Sequence, residues 1–126
     1  MSNPNIVAVT SILGKADTLT PANTTANVLL ANAASSNTVL KINQIVAANV
    51  DGTNAIDTTV AINSAAAGSG TSFPICSTVS VPADASLIVV DKTTGIYLEE
   101  DKSITVQSST ASKIAYSISY EIISSS

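Results

Sequence analysis

The chain has no histidine, no arginine and no tryptophan, and only one phenylalanine, one cysteine and three tyrosines in 126 residues. Each gap removes a class of chemistry. Without histidine, no side chain has an ordinary pKa near neutrality, which takes away histidine general bases, Ser-His-Asp triads and histidine-bearing zinc sites. Without arginine, there is no planar fork of donors for a phosphate or a guanine edge. The five cations are all lysines, outnumbered by nine carboxylates. The resulting net charge of −4 makes the average surface repel nucleic acid. So few aromatic rings leave little on which bases could stack.

Cys76 stands alone, so no disulfide closes within the chain. Its context, Phe73-Pro74-Ile75-Cys76, is apolar and lacks the cationic neighbour that a reactive thiolate needs, so it reads as a small core hydrophobe. Unbroken apolar stretches run to about four residues, against the ~20 of a membrane-spanning helix, and no membrane partner is expected. The opening Met1-Ser2-Asn3-Pro4-Asn5 carries none of the positive charge that begins a secretory signal, and Ile6–Leu13 is interrupted by Thr10 and Ser11. Maturation in a cytoplasm is the expectation.

What is present is small, polar and uncharged. There are 19 Ser, 15 Thr, 18 Ala and 10 Asn, with only 11% charged residues. A mean hydropathy of +0.39 with so little net charge is the opposite of a disordered composition. The length is that of one domain, expected over 1–126.

Alternation with period two dominates, and no sustained helical stripe appears. Over Lys113–Ile123, Ile114, Tyr116, Ile118, Tyr120 and Ile122 point one way, and Ala115, Ser117, Ser119 and Glu121 the other. Over Thr38–Val50, Leu40, Ile42, Val46, Ala48 and Val50 share a face with Gln44, leaving Lys41, Asn43 and Asn49 opposite. That run ends at Asp51-Gly52, a favoured hairpin pair, and Asp57–Asn63 follows, so a hairpin is expected there. Shorter strands are expected at Asn5–Leu13, stopping at Gly14, and at Thr25–Ala31, Thr78–Val81, Ser86–Val90, Ile96–Leu98 and Ser103–Gln107. Asn32-Ala33-Ala34-Ser35-Ser36 has room for a helical turn, and Ala65-Ala66-Ala67-Gly68-Ser69-Gly70 reads as a flexible loop. The pattern predicts an all-β fold, a single antiparallel β-sandwich of about eight strands with a jelly-roll-like arrangement.

No segment assembles a convincing reactive site. Asp51-Gly52-Thr53-Asn54-Ala55-Ile56-Asp57 spaces oxygens loosely like a calcium loop, but has Ile56 and Ile62 where an EF-hand needs Gly and Glu. Gly68-Ser69-Gly70 lacks the Lys-Ser/Thr of a phosphate loop. Thr110-Ala111-Ser112-Lys113 places a hydroxyl three residues before a lysine, yet in an expected hairpin turn rather than at a helix start. Glu99-Glu100-Asp101 is expected to be a solvated turn whose carboxylates point apart. Tyr97, Tyr116 and Tyr120 would make a sugar platform only on one exposed face, and the last two fall on the greasy side of their strand. The sequon Asn23-Thr24-Thr25 is at chance frequency in such a composition. No catalytic, metal or cofactor residue is assigned, no cofactor is expected, and the chain is read as not an enzyme.

A thin core of 14 Ile, 12 Val and seven Leu, without disulfides or aromatic bulk, leaves a narrow stability margin. Burial against a partner would widen it. Sparse surface charge also weakens the usual guard on sheet edges. Life in an assembly is therefore the expectation.

The stretch Ile96-Tyr97-Leu98-Glu99-Glu100-Asp101-Lys102-Ser103-Ile104-Thr105-Val106, with the closing Ser119-Tyr120-Glu121-Ile122, resembles the C-terminal half of small virion structural proteins of tailed bacteriophages. Adding Asn5-Ile6-Val7 and Lys41-Ile42-Asn43-Gln44-Ile45 makes the chain similar to short proteins of marine contractile-tailed cyanophages. Many relatives carry Gly-Asp-Ser where this chain has Asp101-Lys102-Ser103. The resemblance implies a non-enzymatic β-sandwich of the virion, most simply a capsid decoration or cement protein. It would bind the major capsid protein or other virion proteins through strand edges and shallow Ala/Ser/Thr contacts, as a trimer. A neck, tail or fibre module, with host-glycan contact, is the alternative it implies.

Overall fold

A computed structural model of the chain describes residues 11–68, 70–91 and 96–124. Among them are nine strands: β1 (Ser11–Leu19), β2 (Asn27–Asn32), β3 (Thr38–Asn49), β4 (Ile56–Asn63), β5 (Ser72–Val81), β6 (Ser86–Val90), β7 (Ile96–Leu98), β8 (Lys102–Ser108) and β9 (Ile114–Ser124). One sheet has the order β1-β9-β3-β6, with β7 continuing beside β3, and the other the order β2-β8-β4-β5; all pairings are antiparallel. Successive strands pass from one sheet to the other except at β4–β5 and β6–β7. This is the double Greek-key order of a jelly roll, with its sixth position divided between β6 and β7. The expected all-β sandwich is the observed fold.

The alternation of β9 is realised as read, with Ile114, Tyr116, Ile118 and Tyr120 buried between the sheets. They meet Leu40, Ile42 and Ile45 from β3, and Val60, Ile104 and Val106 from the facing sheet. At about 25 cal/mol per Å² of apolar surface, each such side chain contributes roughly 1.5–3 kcal/mol of burial.

Several expectations are corrected. β3 does not hold one phase. Its register against β9 shifts between Ile42 and Gln44, so Asn43 is an extra residue and the alternation inverts beyond it. Ile45, Ala47 and Asn49 turn inward, while Gln44, Val46, Ala48 and Val50 leave the core face. Asp51-Gly52 closes no hairpin, because β3 and β4 lie in different sheets. The hairpin is β4–β5, and the Ala65–Gly70 segment is its tied loop, with Ser64 N–H donating to Thr71 O at 3.0 Å and Gly68 N–H to Ala65 O at 3.3 Å. Gly68 has φ +78°, and a Cβ there would come within 2.8 Å of Val28 Cγ2, so glycine is required by conformation and by space.

β5 begins six residues before the expected Thr78, taking in Phe73, Pro74 and Cys76. β1 runs through Gly14 instead of stopping there. The expected start of that strand at Asn5, the Asn5-Ile6-Val7 motif and most of the Asp91–Gly95 turn lie outside the described residues. No helical turn forms at Asn32–Ser36, where Ser35 takes φ +63°. The segment before Lys113 is a sheet-changing arch between β8 and β9, not a hairpin.

Candidate interaction surface

Three asparagines that end strands hold two arches and a hairpin loop, and none is legible as buried in the sequence. Asn32, the last residue of β2, donates through Nδ2 to Thr38 O and Leu98 O, both at 3.0 Å. Its Oδ1 accepts from Ser36 Oγ at 2.6 Å and from Thr38 Oγ1 at 3.2 Å, which uses its full hydrogen-bonding capacity. Asn49, the last residue of β3, donates to Asn54 O and Val81 O, each at 2.9 Å, and accepts from Asp51 N–H. Asn63, the last residue of β4, donates to Gly68 O at 2.8 Å and accepts from Thr105 Oγ1. The satisfied amides of Asn32 and Asn49 fix where the chain leaves one sheet for the other, and that of Asn63 fixes the start of the β4–β5 loop.

The candidate chemical residues serve structure in the same way. Asp51 Oδ1 accepts from Thr53 N–H at 2.9 Å and Asn54 N–H at 3.2 Å, so the calcium-like segment spends its first carboxylate on its own turn. Those backbone donors, Thr53 first, hold the Asp51 carboxyl below its ordinary value. Among the described residues, no group of three or more Cys, Asp or Glu is placed to hold a metal. Asn23 Oδ1 gathers Thr25 N–H, Thr25 Oγ1 and Asn27 Nδ2, which makes the sequon a turn organiser. Ser112 sits at φ +60°, with its N–H donating to Pro21 O. Cys76 is half-buried on β5 against the core, and burial pushes its thiol up, as expected of a core hydrophobe.

The acidic knuckle is only partly solvated. Glu100 is 9% exposed; its Oε2 accepts from Asn37 N–H at 3.3 Å, while Oε1 is buried and unpartnered. The arch between β7 and β8 folds this carboxylate inward. Asp101 adopts φ +58°, a conformation that glycine takes freely and aspartate tolerates. Its N–H donates to Asn32 O at 2.8 Å.

The three tyrosines separate. Tyr116 is fully buried and crosses the interior, its hydroxyl donating to Gln107 O at 3.0 Å and sharing a hydrogen bond with Thr58 Oγ1. Burial pushes its phenol up, against the pull of Thr58. Tyr120 donates to Asp17 Oδ2 at 2.9 Å. Burial, and then the Asp17 carboxylate, push that phenol up to about 12. Tyr97 alone is exposed, so no sugar platform forms.

What the molecule does present is sheet edge and an open sheet face. β1 pairs with β9 over nine consecutive positions without a shift, and its seven central residues, 12–18, are all exposed. Leu13, Lys15, Asp17 and Leu19 lie on the side of the core, opposite Ile122, Tyr120, Ile118 and Tyr116. Leu13 is nevertheless 55% exposed, so the facing sheet does not cover it. Ile12, on the other side, is 56% exposed. Behind β1 the outer face of this sheet carries Ala16, Ser119 and Gln44 in one cross-strand row and Thr18, Ser117, Val46 and Ile88 in the next. Such a face meets another protein with little desolvation of charge.

No protein-family model matches the chain, and no curated protein matches it. In shape it is similar to a chain from the structure of Bacillus endospore appendages, a family of disulfide-linked pili, at 16% identity and TM-score 0.46, covering 98% of both chains. It is also similar to chains from infectious bursal disease virus. The Gx strain matches at 11% identity and TM-score 0.45 over 88% of this chain, and the Gt strain at 9% and 0.41 over 94%. The matched regions span about a third of those viral chains. Likenesses at this level describe a shape and assign no activity. None of the three is a protein of a tailed phage, and no phage family is shown. No helix among the described residues is long and apolar enough to cross a membrane.

Proposed function

We propose that the chain is a non-enzymatic structural protein that works inside an assembly, as one domain over 1–126, and that the assembly is a virion. The observation that carries the reading is β1, a regular edge strand exposed on both faces and bordering an uncharged sheet face of Ala16, Thr18, Ser117, Ser119, Gln44, Val46 and Ile88. Exposed sheet edges are templates for strand addition, and shallow uncharged faces suit many equivalent contacts. Within a virion, the reading is a decoration or cement protein on the outer capsid lattice, with the major capsid protein as partner. Each contact would be weak, and multivalency would make the coat persistent. The phage-like turn at Ile96–Val106 supports the virion assignment.

The test is mass spectrometry of purified particles, followed by a particle map. Hundreds of copies per particle, with density on the capsid exterior, is the expected result. A few or dozens of copies would place the chain on the neck, tail or fibre instead, and no copies at all would overturn the virion reading.

A further inference from the structure

Among the described residues no strand pairs with the outer edge of β1, and that edge fits a second copy of this chain. In an antiparallel pair the two strands run in opposite directions, so a strand that meets its own copy across a two-fold axis is read against its reverse. Residues 13–19 read Leu-Gly-Lys-Ala-Asp-Thr-Leu. With Ala16 on the axis, Lys15 of each copy lies opposite Asp17 of the other, and Leu13 lies opposite Leu19. Both kinds of pair fall on the same side of the sheet, because opposed residues in an antiparallel ladder share a face. The alternatives are worse: an axis on Lys15 opposes lysine to lysine, and one on Asp17 opposes carboxylate to carboxylate. Centring on Gly14 or Thr18 sets a charged residue against leucine.

The fold leaves room for this partner. β1 borders its sheet, carries no proline, bulge or left-handed residue, and has its central seven residues exposed. Leu13, Lys15 and Asp17 are exposed on the core side, which leaves these side chains open to a second copy. Asp17 is already oriented by the hydroxyl of Tyr120 at 2.9 Å.

From this complementarity we infer that two copies join β1 to β1 in the Ala16-centred register, giving one continuous sheet through a two-fold pair. The sequence reading expected three-fold association, whereas an isologous strand edge closes at two. The pairing goes beyond the virion assignment and does not rest on it, since it can be measured on the isolated chain whatever particle the chain serves.

Sedimentation of the full chain over a concentration series tests it. The expected mass rises from 12.7 kDa towards twice that value. Lys15→Asp and Asp17→Lys should each weaken the pair by about tenfold or more, because like charges then face each other. The two single variants mixed together, and the double variant K15D/D17K, should recover it. In a Cys76→Ser background, Ala16→Cys should oxidise readily to a disulfide-linked dimer, since directly opposed strand positions lie within disulfide reach, while Thr18→Cys should not. A monomer up to about 1 mM, association indifferent to the charge changes, or preferential cross-linking through Thr18→Cys would each overturn the proposal.

Discussion

β1 and β5 border different sheets of one sandwich and are built on opposite rules. β5 is broken wherever a partner strand would need regularity. It contains Pro74, its register against β4 shifts at Thr58/Val60 and again at Val60/Ala61, and Thr78 sits at φ +52°. A β-branched residue in that region is strained, by roughly 1–3 kcal/mol, and is held there by its N–H bond to Thr59 Oγ1. β1 has none of these devices and matches β9 residue for residue. Proline, bulges and kinks are how natural sheets discourage pairing at an edge. A chain that bears strain to close one edge while leaving another straight has one side made to stay alone and one made to be joined.

The largest expected effect removes both sides at once. Tyr116→Ala empties the centre of the sandwich and strips Thr58 and Gln107 of a partner, so denaturation should show a loss of about 3–5 kcal/mol. Gly68→Ala is expected to cost about 1–2 kcal/mol, because the left-handed turn excludes a side chain. Its effect should concentrate in the β4–β5 hairpin, raising amide exchange over Ser72–Val81 and leaving Ser11–Leu19 unchanged.

Tyr120→Phe removes the hydrogen bond that ties Asp17 of the open edge to β9, with an expected loss of about 1 kcal/mol at neutral pH. The pH dependence gives its signature. The Tyr120 phenol is raised to about 12 in the folded chain, against about 10 when unfolded, so folding favours the protonated form. That contribution is complete below pH ~10 and is lost as pH climbs through about 12. Denaturation midpoints should fall across this window in the parent chain and fall less steeply in the variant. Phenolate absorbance should show the Tyr120 phenol titrating late. The smallest effect on stability, within about 0.5 kcal/mol, is expected for Pro74→Thr. That change should instead increase association, read by sedimentation, by supplying the guarded edge with a regular backbone donor.

The layer architecture was legible because it depends on short-period alternation, which β9 displays without interruption. Where the reading went astray, the deciding interaction was non-local. In β3 the run Ile45-Val46-Ala47-Ala48 is apolar at both parities, so nothing in it betrays the bulge at Asn43. β5 extends back from the expected Thr78 to Ser72 across Pro74, a strand breaker by local rules that an edge strand tolerates. Asp51-Gly52 does make a tight turn, but the turn cannot report that Asn49 and Asn54 carry the chain to the other sheet. Buried Glu100 follows from the same kind of arch. The open edge was foreseen as a kind of contact, from the scarcity of charge, but not as a place. Its place emerges only when β9 is seen to leave β1 on the outside.

Amide hydrogen exchange followed as a function of protein concentration addresses the contrast between the two edges most directly. Protection over Ser11–Leu19 should rise with concentration while that over Ser72–Val81 stays constant. Equal behaviour of the two strands, or protection that grows at β5 and not at β1, would contradict the account.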